Sequence, residues 1–181
     1  MGRRRIRLTG FRLMRIGLIA DTHIPSMAKE LPPQVAKAFA GVDLIFHAGD
    51  LHVLSVLDDL EQTAPVIAVR GNGDCWIPQD PRLKDTYLLG VEGVSIGLTH
   101  ALEYPESRSW SIEQSMERDF KEAVDVIVFG DTHVAMVEEY KGILLINPGS
   151  PTLPNGIMRL GTVAILEVAQ GKAQAAILQL G

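Results

Sequence analysis

Short apolar runs, bounded by glycine and polar residues, recur along this chain and predict buried β-strands. Five of these runs end directly in side chains that can bind a metal ion. In an α/β sheet, ligand sites gather in the crevice at the carboxyl ends of the strands, so we expect these side chains to meet at one rim. The runs are residues 16–20, 44–47, 66–69, 94–98 and 124–129, and the donors at their ends are Asp21, His23, Asp50, Asn72, His100, Asp131 and His133.

The first half of the chain alternates predicted strands with predicted helices. Strands at residues 14–20, 43–47 and 65–69 are separated by helices at about residues 34–40 and 52–62. Two prolines at positions 32 and 33 suit the start of the first helix. This β-α-β-α-β order implies parallel strands with right-handed crossovers.

The second half is richer in strands. Residues 83–89 and 91–98 lie on either side of glycines 90 and 93 and predict an antiparallel pair. A polar loop at residues 103–109 precedes a helix at about 111–123, for which Ser111 and Gln114 predict a capping box. Further strands are predicted at residues 125–129, 135–140, 143–146, 161–168 and 173–178. We therefore predict a single α/β domain over residues 14–181, with two packed mixed sheets and helices outside them.

The basic leader, residues 1–13, differs from the rest of the chain. Met14 opens directly onto the first core strand, so we expect it to be the natural start and the leader to be a flexible or misassigned extension. The alternative is an extra edge strand built from Ile6, Leu8 and Phe11. The leader has neither a continuous apolar segment nor a small-residue cleavage site, which argues against a secretory signal.

The charge distribution argues against a general nucleic-acid-binding surface. Five of the 17 lysine and arginine residues precede Met14, so the remainder carries 12 basic against 22 acidic residues, a formal charge of -10. Cys75 is the only cysteine, which suits a reducing cytoplasm. No apolar run approaches the ~20 residues that span a bilayer, so we expect no membrane partner. Homo-oligomer formation stays open.

Each donor taken alone has an ordinary structural explanation. Asp21 and His23 could belong to a turn, and Asp50 could stabilise a helix N-terminus. Asn72 could be a left-handed turn residue, and His100 a buried histidine bonded to a carbonyl. All five strand ends together instead favour a two-metal phosphoesterase site, because carboxylate, amide and imidazole groups bind hard or borderline divalent metals.

In order and spacing, these residues resemble the motifs of the calcineurin-like metallophosphoesterases, most closely the small single-domain YfcE-type phosphodiesterases of bacteria and archaea. The likeness extends from Met14 to the C-terminus. It implies a four-layer αββα sandwich, two divalent ions (manganese first, with iron, zinc, nickel, cobalt or magnesium as alternatives), and hydrolysis of a small phosphate ester by in-line attack of a metal-bridging water. The matching motifs are Asp21-x-His23, Gly49-Asp50, Gly71-Asn72-x-Asp74, His100, Gly130-x-x-His133 and Asn147-Pro148-Gly149-Ser150.

The resemblance also implies a role for each donor. The first metal would be held by Asp21, His23 and His133, and the second by Asn72 and His100, with Asp50 bridging both. Catalytic roles would fall to Asp50, Asn72 and His100. The family pattern at the last motif is Gly-His-x-His, and this chain has Asp131 where the first of those histidines stands. Asp131 would ligate directly, ligate through water, or leave the second site weak.

Two further departures from the family pattern reduce the expected acid and phosphate-binding groups. Gly73 replaces a histidine that often follows the motif asparagine, and Ala101-Leu102 replaces a common Gly-His pair. His52 or Arg70 could compensate, or each could be a surface or packing residue. The runner-up function is therefore a catalytically weak scaffold, like the retromer subunit of this fold. The acidic body disfavours a third alternative, a nucleic-acid phosphodiesterase.

Overall fold

The computed structural model describes residues 6–8, 12–102, 111–153 and 160–181, with the backbone alone for residues 6–8. A short 3-10 turn, Asn72–Asp74, follows the fourth strand. The helices are α1 (Pro33–Ala38), α2 (Ser55–Glu61) and α3 (Ile112–Asp119). The strands are β1 (Ile6–Leu8), β2 (Met14–Ile19), β3 (Leu44–His47), β4 (Val66–Val69), β5 (Leu83–Lys84), β6 (Tyr87–Val91), β7 (Val94–Leu98), β8 (Val126–Val128), β9 (Met136–Tyr140), β10 (Ile143–Asn147), β11 (Thr162–Ala169) and β12 (Lys172–Gln179).

Two six-stranded mixed sheets pack face to face, which confirms the predicted αββα sandwich. One sheet has the order β1-β6-β7-β8-β10-β9 and the other β12-β11-β2-β3-β4-β5. The core between them contains buried residues of both sheets, such as Leu18, Phe46 and Leu98. A second apolar cluster joins α1 and α2 to one outer face, and a third joins α3 to the other. The layering follows because each sheet buries an apolar face on both sides.

On both outer faces, a phenylalanine ring after a helix packs against a glycine of the sheet. A Cβ built on Gly17 of β2 would lie only 2.8 Å from the nearest ring carbon of Phe39, which follows α1 and is fully buried. The ring of Phe120, after α3, lies 2.5 Å from the corresponding position on Gly97 of β7. Glycine at these two strand positions therefore provides the space that seats the outer layers.

Most predicted elements are present, including the capping box. Ser111 Oγ accepts the backbone N–H of Gln114 at 3.2 Å, and Gln114 Oε1 accepts that of Ser111 at 2.8 Å. The prediction of one strand over residues 83–89 is wrong. Leu83–Lys84 pairs with β4 in one sheet, while Tyr87–Val91 pairs with β7 in the other. Glycine 90 lies within β6 and keeps its pairing with β7, so the hairpin turn lies at residues 92–93.

The leader is partly described. Its residues Ile6–Leu8 form an edge strand parallel to β6, so two of the three residues named for the alternative edge strand are paired, and the third, Phe11, lies outside the described residues. Residues 1–5 and 9–11, and the predicted polar loop at 103–109, lie outside the described residues. The natural start at Met14 stays a prediction. None of the helices in the described ranges has the length and apolar character needed to span a bilayer.

The sheet topology directs five strand ends to one rim of the sandwich. β2, β3 and β4 are parallel neighbours in one sheet, and β7 and β8 are parallel neighbours in the other. Because the two sheets pack face to face, the loops after these strands meet above the central core. The expected donors all lie in these loops.

Candidate metal centre

The seven expected donors converge at the rim, and three of them form a first group. His23 Nε2 lies 3.2 Å from His133 Nε2, and His133 Nε2 lies 3.8 Å from Asp21 Oδ1. One ligand atom from each of these residues lies within 4.8 Å of the other two. Two imidazole nitrogens and a carboxylate oxygen at this spacing suit a divalent transition metal.

A second group lies beside the first, and Asp50 is between them. Asp50 Oδ2 lies 3.7 Å from His23 Nε2, and Asp50 Oδ1 lies 3.5 Å from His100 Nε2. Asp131 Oδ1 lies 3.6 Å from His100 Nε2 and accepts Nδ2–H of Asn72 at 3.2 Å. Asp50 therefore directs one oxygen to each group, as expected of a bridging carboxylate.

Two atoms of the cluster are buried without a hydrogen-bond partner: Asp21 Oδ2 and His100 Nε2. His100 Nδ1 lies 2.7 Å from the carbonyl oxygen of Ala48, so Nδ1 carries a proton, and in the neutral form of the ring Nε2 carries a lone pair. The alternative of a buried histidine bonded to a carbonyl therefore describes one side of this ring only. Buried polar atoms without partners are rare, and a cation would satisfy both of these.

The pKa of the Asp21 carboxyl also indicates a place for a cation. Burial raises the pKa of this fully buried carboxyl to about 8, and the nearby Asp50 and Asp131 carboxylates add to the rise against the N–H bond from Asp131. Burial also lowers the pKa of His23, which favours its neutral, metal-binding form. A divalent cation would stabilise the ionised carboxylate that burial disfavours.

The backbone at the rim adopts left-handed conformations that non-glycine residues rarely take. The φ angles are 53° at Asp21, 45° at His23, 58° at Asp50, 68° at Asp131 and 60° at His133. Such strain clusters at functional sites, where the surrounding structure holds it in place. In the loops after β2 and β8, the left-handed residues are two positions apart, and both side chains of each pair belong to the rim.

Two of the ordinary explanations for the donors are wrong. Asn72 is absent from the positive-φ residues of the described chain and lies in the 3-10 turn, so it is not a left-handed turn residue. Asp50 does not lie in the first turn of a helix, because α2 begins only at Ser55. Asp50 is held in the rim by hydrogen bonds with Asp74 and Gly73 of the β4 loop, and Asn72 donates to Asp131 of the β8 loop.

Asp74 organises these loops, a role that the sequence did not reveal. Its fully buried carboxylate accepts the backbone N–H groups of Asp50 at 2.9 Å, Gly71 at 2.8 Å and His52 at 2.8 Å. A Cβ on Gly71 would overlap the Asp50 carboxylate, so glycine is needed there. The spacing of Asp74 in its motif was the available signal, but its connection to the β3 loop depends on the fold.

The Asn147–Ser150 turn ties the loops of the two sheets together. Asn147 Nδ2–H donates to the carbonyl of Gly130 at 2.7 Å, and Ser150 Oγ–H donates to the carbonyl of Asp21 at 2.7 Å. Asp131 N–H donates to Asp21 Oδ1 at 3.2 Å. These bonds fix the first-motif loop relative to the last.

The two proposed substitutes for missing polar groups have different positions. Arg70 donates to the carbonyls of Asp74, Ile77 and Pro78 at 3.0–3.1 Å, so it supports the loop after the 3-10 turn. His52 lies in the rim instead, with Nε2 at 3.0 Å from His23 Nδ1.

Three exposed apolar side chains lie in loops that carry candidate donors. Trp76 is 91% exposed, and Met27 and Val134 are 55% and 52% exposed. They lie in the loops that carry Asn72, His23 and His133. Exposed apolar side chains in these loops suit contact with the organic part of a ligand or with another protein.

Comparisons with known proteins agree with this geometry. The family model described as "Calcineurin-like phosphoesterase superfamily domain" matches residues 14–171. A "Probable metallophosphoesterase" from Methanothermobacter thermautotrophicus is 37% identical over 169 residues, covering 93% of this chain and 94% of the relative. A phosphodiesterase from Methanocaldococcus jannaschii is 28% identical, covering 75% of this chain and 83% of the relative. The solved structure of Vacuolar Protein Sorting 29 from Cryptosporidium parvum shares the fold, with a TM-score of 0.72, 23% identity and coverage of 92% and 97%.

Proposed function

We propose that this chain, which belongs to the calcineurin-like phosphoesterase superfamily, is a phosphodiesterase dependent on two divalent cations, with manganese as the first choice. One observation carries the proposal. Asp21 Oδ2 and His100 Nε2 are buried without partners in a rim where carboxylate and imidazole groups from four strand ends meet. This donor set suits a hard or borderline divalent metal.

The roles proposed for the residues follow the two groups. Asp21, His23 and His133 would hold the first cation, and Asn72, His100 and Asp131 the second, with Asp50 between them. When bound, the cations supply positive charge for the phosphoryl oxygens and activate a water for in-line attack on phosphorus. Asn72 now donates Nδ2–H to Asp131, so its amide would rotate to present oxygen to a cation.

The substrate class follows from what surrounds the rim. Arg70 is bound to loop carbonyls and His52 to His23, so neither is available to protonate a leaving group. We therefore expect esters with good leaving groups to react fastest. The net charge of -5 favours a small phosphate ester over nucleic acid.

The exposed free thiol of Cys75 suits the reducing cytoplasm in which we place the protein.

The direct test is hydrolysis of bis-(p-nitrophenyl) phosphate by protein stripped of metal and then supplied with manganese. We expect release of p-nitrophenol to require the metal and to saturate with substrate. The same assay with the monoester p-nitrophenyl phosphate measures the preference for diesters. Absence of release above background with manganese, zinc, nickel, cobalt or magnesium would reject the proposal.

Asp131 is expected to be a ligand of the second cation. Replacing it with alanine should weaken binding of the second manganese equivalent by at least about tenfold, since even partners of ligands change metal affinity by ~10- to 100-fold. Asp131→His should instead shift the preference at this position towards zinc, because imidazole suits zinc better than a carboxylate does. Calorimetric titration with both metals measures the two effects. Unchanged manganese binding by Asp131→Ala would show that Asp131 is not a ligand.

The alternative function is a binding module with weak or no catalysis. The exposed side chains of Trp76, Met27 and Val134 favour it, because they offer an apolar contact surface beside the rim. A binding module can retain its metal ions, so metal content does not separate the two functions. Metal-dependent turnover does: stoichiometric metal binding with no hydrolysis of any diester would favour the binding module.

A further inference from the structure

His52 occupies the space that a side chain at position 73 would fill. A Cβ built on Gly73 would lie 2.6 Å from His52 Nε2 and 3.1 Å from His52 Cδ2. The glycine therefore admits an imidazole from the β3 loop into the rim. This placement depends on the packing of two separate loops.

The polar contacts of His52 form a chain with one consistent direction. His52 Nε2 lies 3.0 Å from His23 Nδ1, and His52 Nδ1 lies 3.0 Å from Ser26 Oγ. Ser26 Oγ–H donates to the carbonyl of His23 at 2.8 Å, so this hydroxyl is free to accept from His52. His52 Nδ1 therefore carries the proton, and His52 Nε2 accepts Nδ1–H of His23.

The backbone of His52 is fixed as firmly as that of the expected ligands. Its φ is 71°, and its N–H donates to Asp74 Oδ1, the carboxylate that also binds the N–H of Asp50. The rings of His52 and His23 are nearly perpendicular, at 87°, with centroids 4.5 Å apart. This edge-on arrangement directs a nitrogen of one ring at a nitrogen of the other.

We propose that His52 is a positioning residue: by accepting Nδ1–H of His23, it holds His23 in the tautomer whose Nε2 is free to bind a cation. The proposal rests on the proposed function only in assigning His23 to a metal. Protein groups that accept the second N–H of a metal-binding histidine fix its tautomer and orientation. The same contact excludes His52 as a proton donor while His23 binds metal, because two N–H groups would then face each other.

The test compares two substitutions that separate hydrogen bonding from packing. His52→Gln keeps an acceptor oxygen at about the reach of Nε2, whereas His52→Phe keeps a ring but no acceptor. We expect His52→Phe to weaken manganese binding in calorimetry by ~10- to 100-fold and His52→Gln to remain within a few-fold of the wild type. Thermal unfolding of the metal-free proteins checks that both variants fold.

A spectroscopic measurement reads the tautomer directly and does not depend on turnover. In zinc-loaded protein labelled with ¹⁵N, long-range ¹H–¹⁵N correlation should show His23 protonated at Nδ1. The exchange-protected Nδ1 proton should persist in His52→Gln and disappear in His52→Phe. Ser26→Ala, which removes only the far end of the chain, should have a smaller effect than His52→Phe.

A third variant approaches the same contact from the other side. The added Cβ in Gly73→Ala should displace His52 and reproduce part of the loss of metal affinity. In a His52→Ala background the same change should have a smaller effect, because only the tight contact of the added Cβ with Asp50 Oδ1, at 3.1 Å, then remains. This coupling measures whether the two positions act through one contact.

The outcomes distinguish this inference from the proposed function. Equal metal affinity and equal Nδ1 protection in wild type and His52→Phe would overturn the positioning role and leave the phosphodiesterase proposal standing. Loss of one bound cation in both His52→Gln and His52→Phe would show that His52 is a direct ligand, which would also overturn the positioning role. Failure of the wild-type protein to bind any metal would overturn both proposals.

Discussion

Replacing Asp50 with asparagine is expected to lower metal-dependent diester hydrolysis by about three orders of magnitude. Bound cations contribute several kcal/mol of transition-state stabilisation, and about 1.4 kcal/mol corresponds to a tenfold change in rate. Asp50 Oδ1 accepts the N–H of Gly73 at 2.7 Å, and an asparagine oxygen can keep that bond. The amide nitrogen would then face His23, where a cation needs a negative oxygen.

Kinetics and metal titration together check this prediction. We expect Asp50→Asn to bind fewer than two manganese equivalents tightly and to lose kcat rather than only to raise KM. Asp85→Asn is the matched control, since Asp85 is exposed and lies between β5 and β6. An Asp50→Asn protein with two tightly bound cations and normal turnover would contradict the bridging role.

Replacing Asp74 with alanine is expected to lower the free energy of unfolding of the metal-free protein by about 3 kcal/mol. Three backbone N–H groups, of Asp50, Gly71 and His52, would lose their acceptor, and each buried unsatisfied donor costs ~1–3 kcal/mol. Water entering the space would reduce the total below the simple sum. For a chain of this size, the loss corresponds to a fall in Tm of ~10 °C.

Urea unfolding in the presence of a chelator measures the effect of Asp74 without any contribution from metal binding. Asp74→Asn should be intermediate, because one side-chain oxygen remains and the amide N–H faces a backbone donor. Asp59→Ala, at an exposed position of α2, is the control and should change stability by less than about 0.5 kcal/mol. A stability of Asp74→Ala equal to that of Asp59→Ala would show that the three bonds contribute nothing.

The order of the elements and the rim could be predicted because both follow local patterns. Apolar runs of four to six residues define buried strands, and strands joined by helices must be parallel, so their carboxyl ends share an edge. Ser111 and Gln114 signalled the start of α3 by side-chain chemistry alone. The pairing of Leu83–Lys84 with β4 could not be predicted, because a two-residue strand has no periodicity and is formed only through its neighbour β4 in the same sheet.

The contacts that position the candidate ligands could not be predicted from the sequence for a related reason. The partners of Asp74 lie 3, 22 and 24 positions away along the chain, and those of His52 lie 26 and 29 positions away. No spacing rule links residues more than 20 positions apart, because their proximity depends on how the β2, β3 and β4 loops stack. The donors themselves could be named from the motifs, whereas the residues that orient them required the folded chain.

The division of the donors between the two sheets has a consequence for ion selectivity. Asp21, His23, Asp50 and Asn72 follow strands of one sheet, and His100, Asp131 and His133 follow strands of the other. The gap that an ion must fill is therefore set by how far apart the two sheets stand. We therefore expect that enlarging or reducing the side chains packed between the two sheets, well below the rim, would change the spacing of the donors and with it the preferred cation.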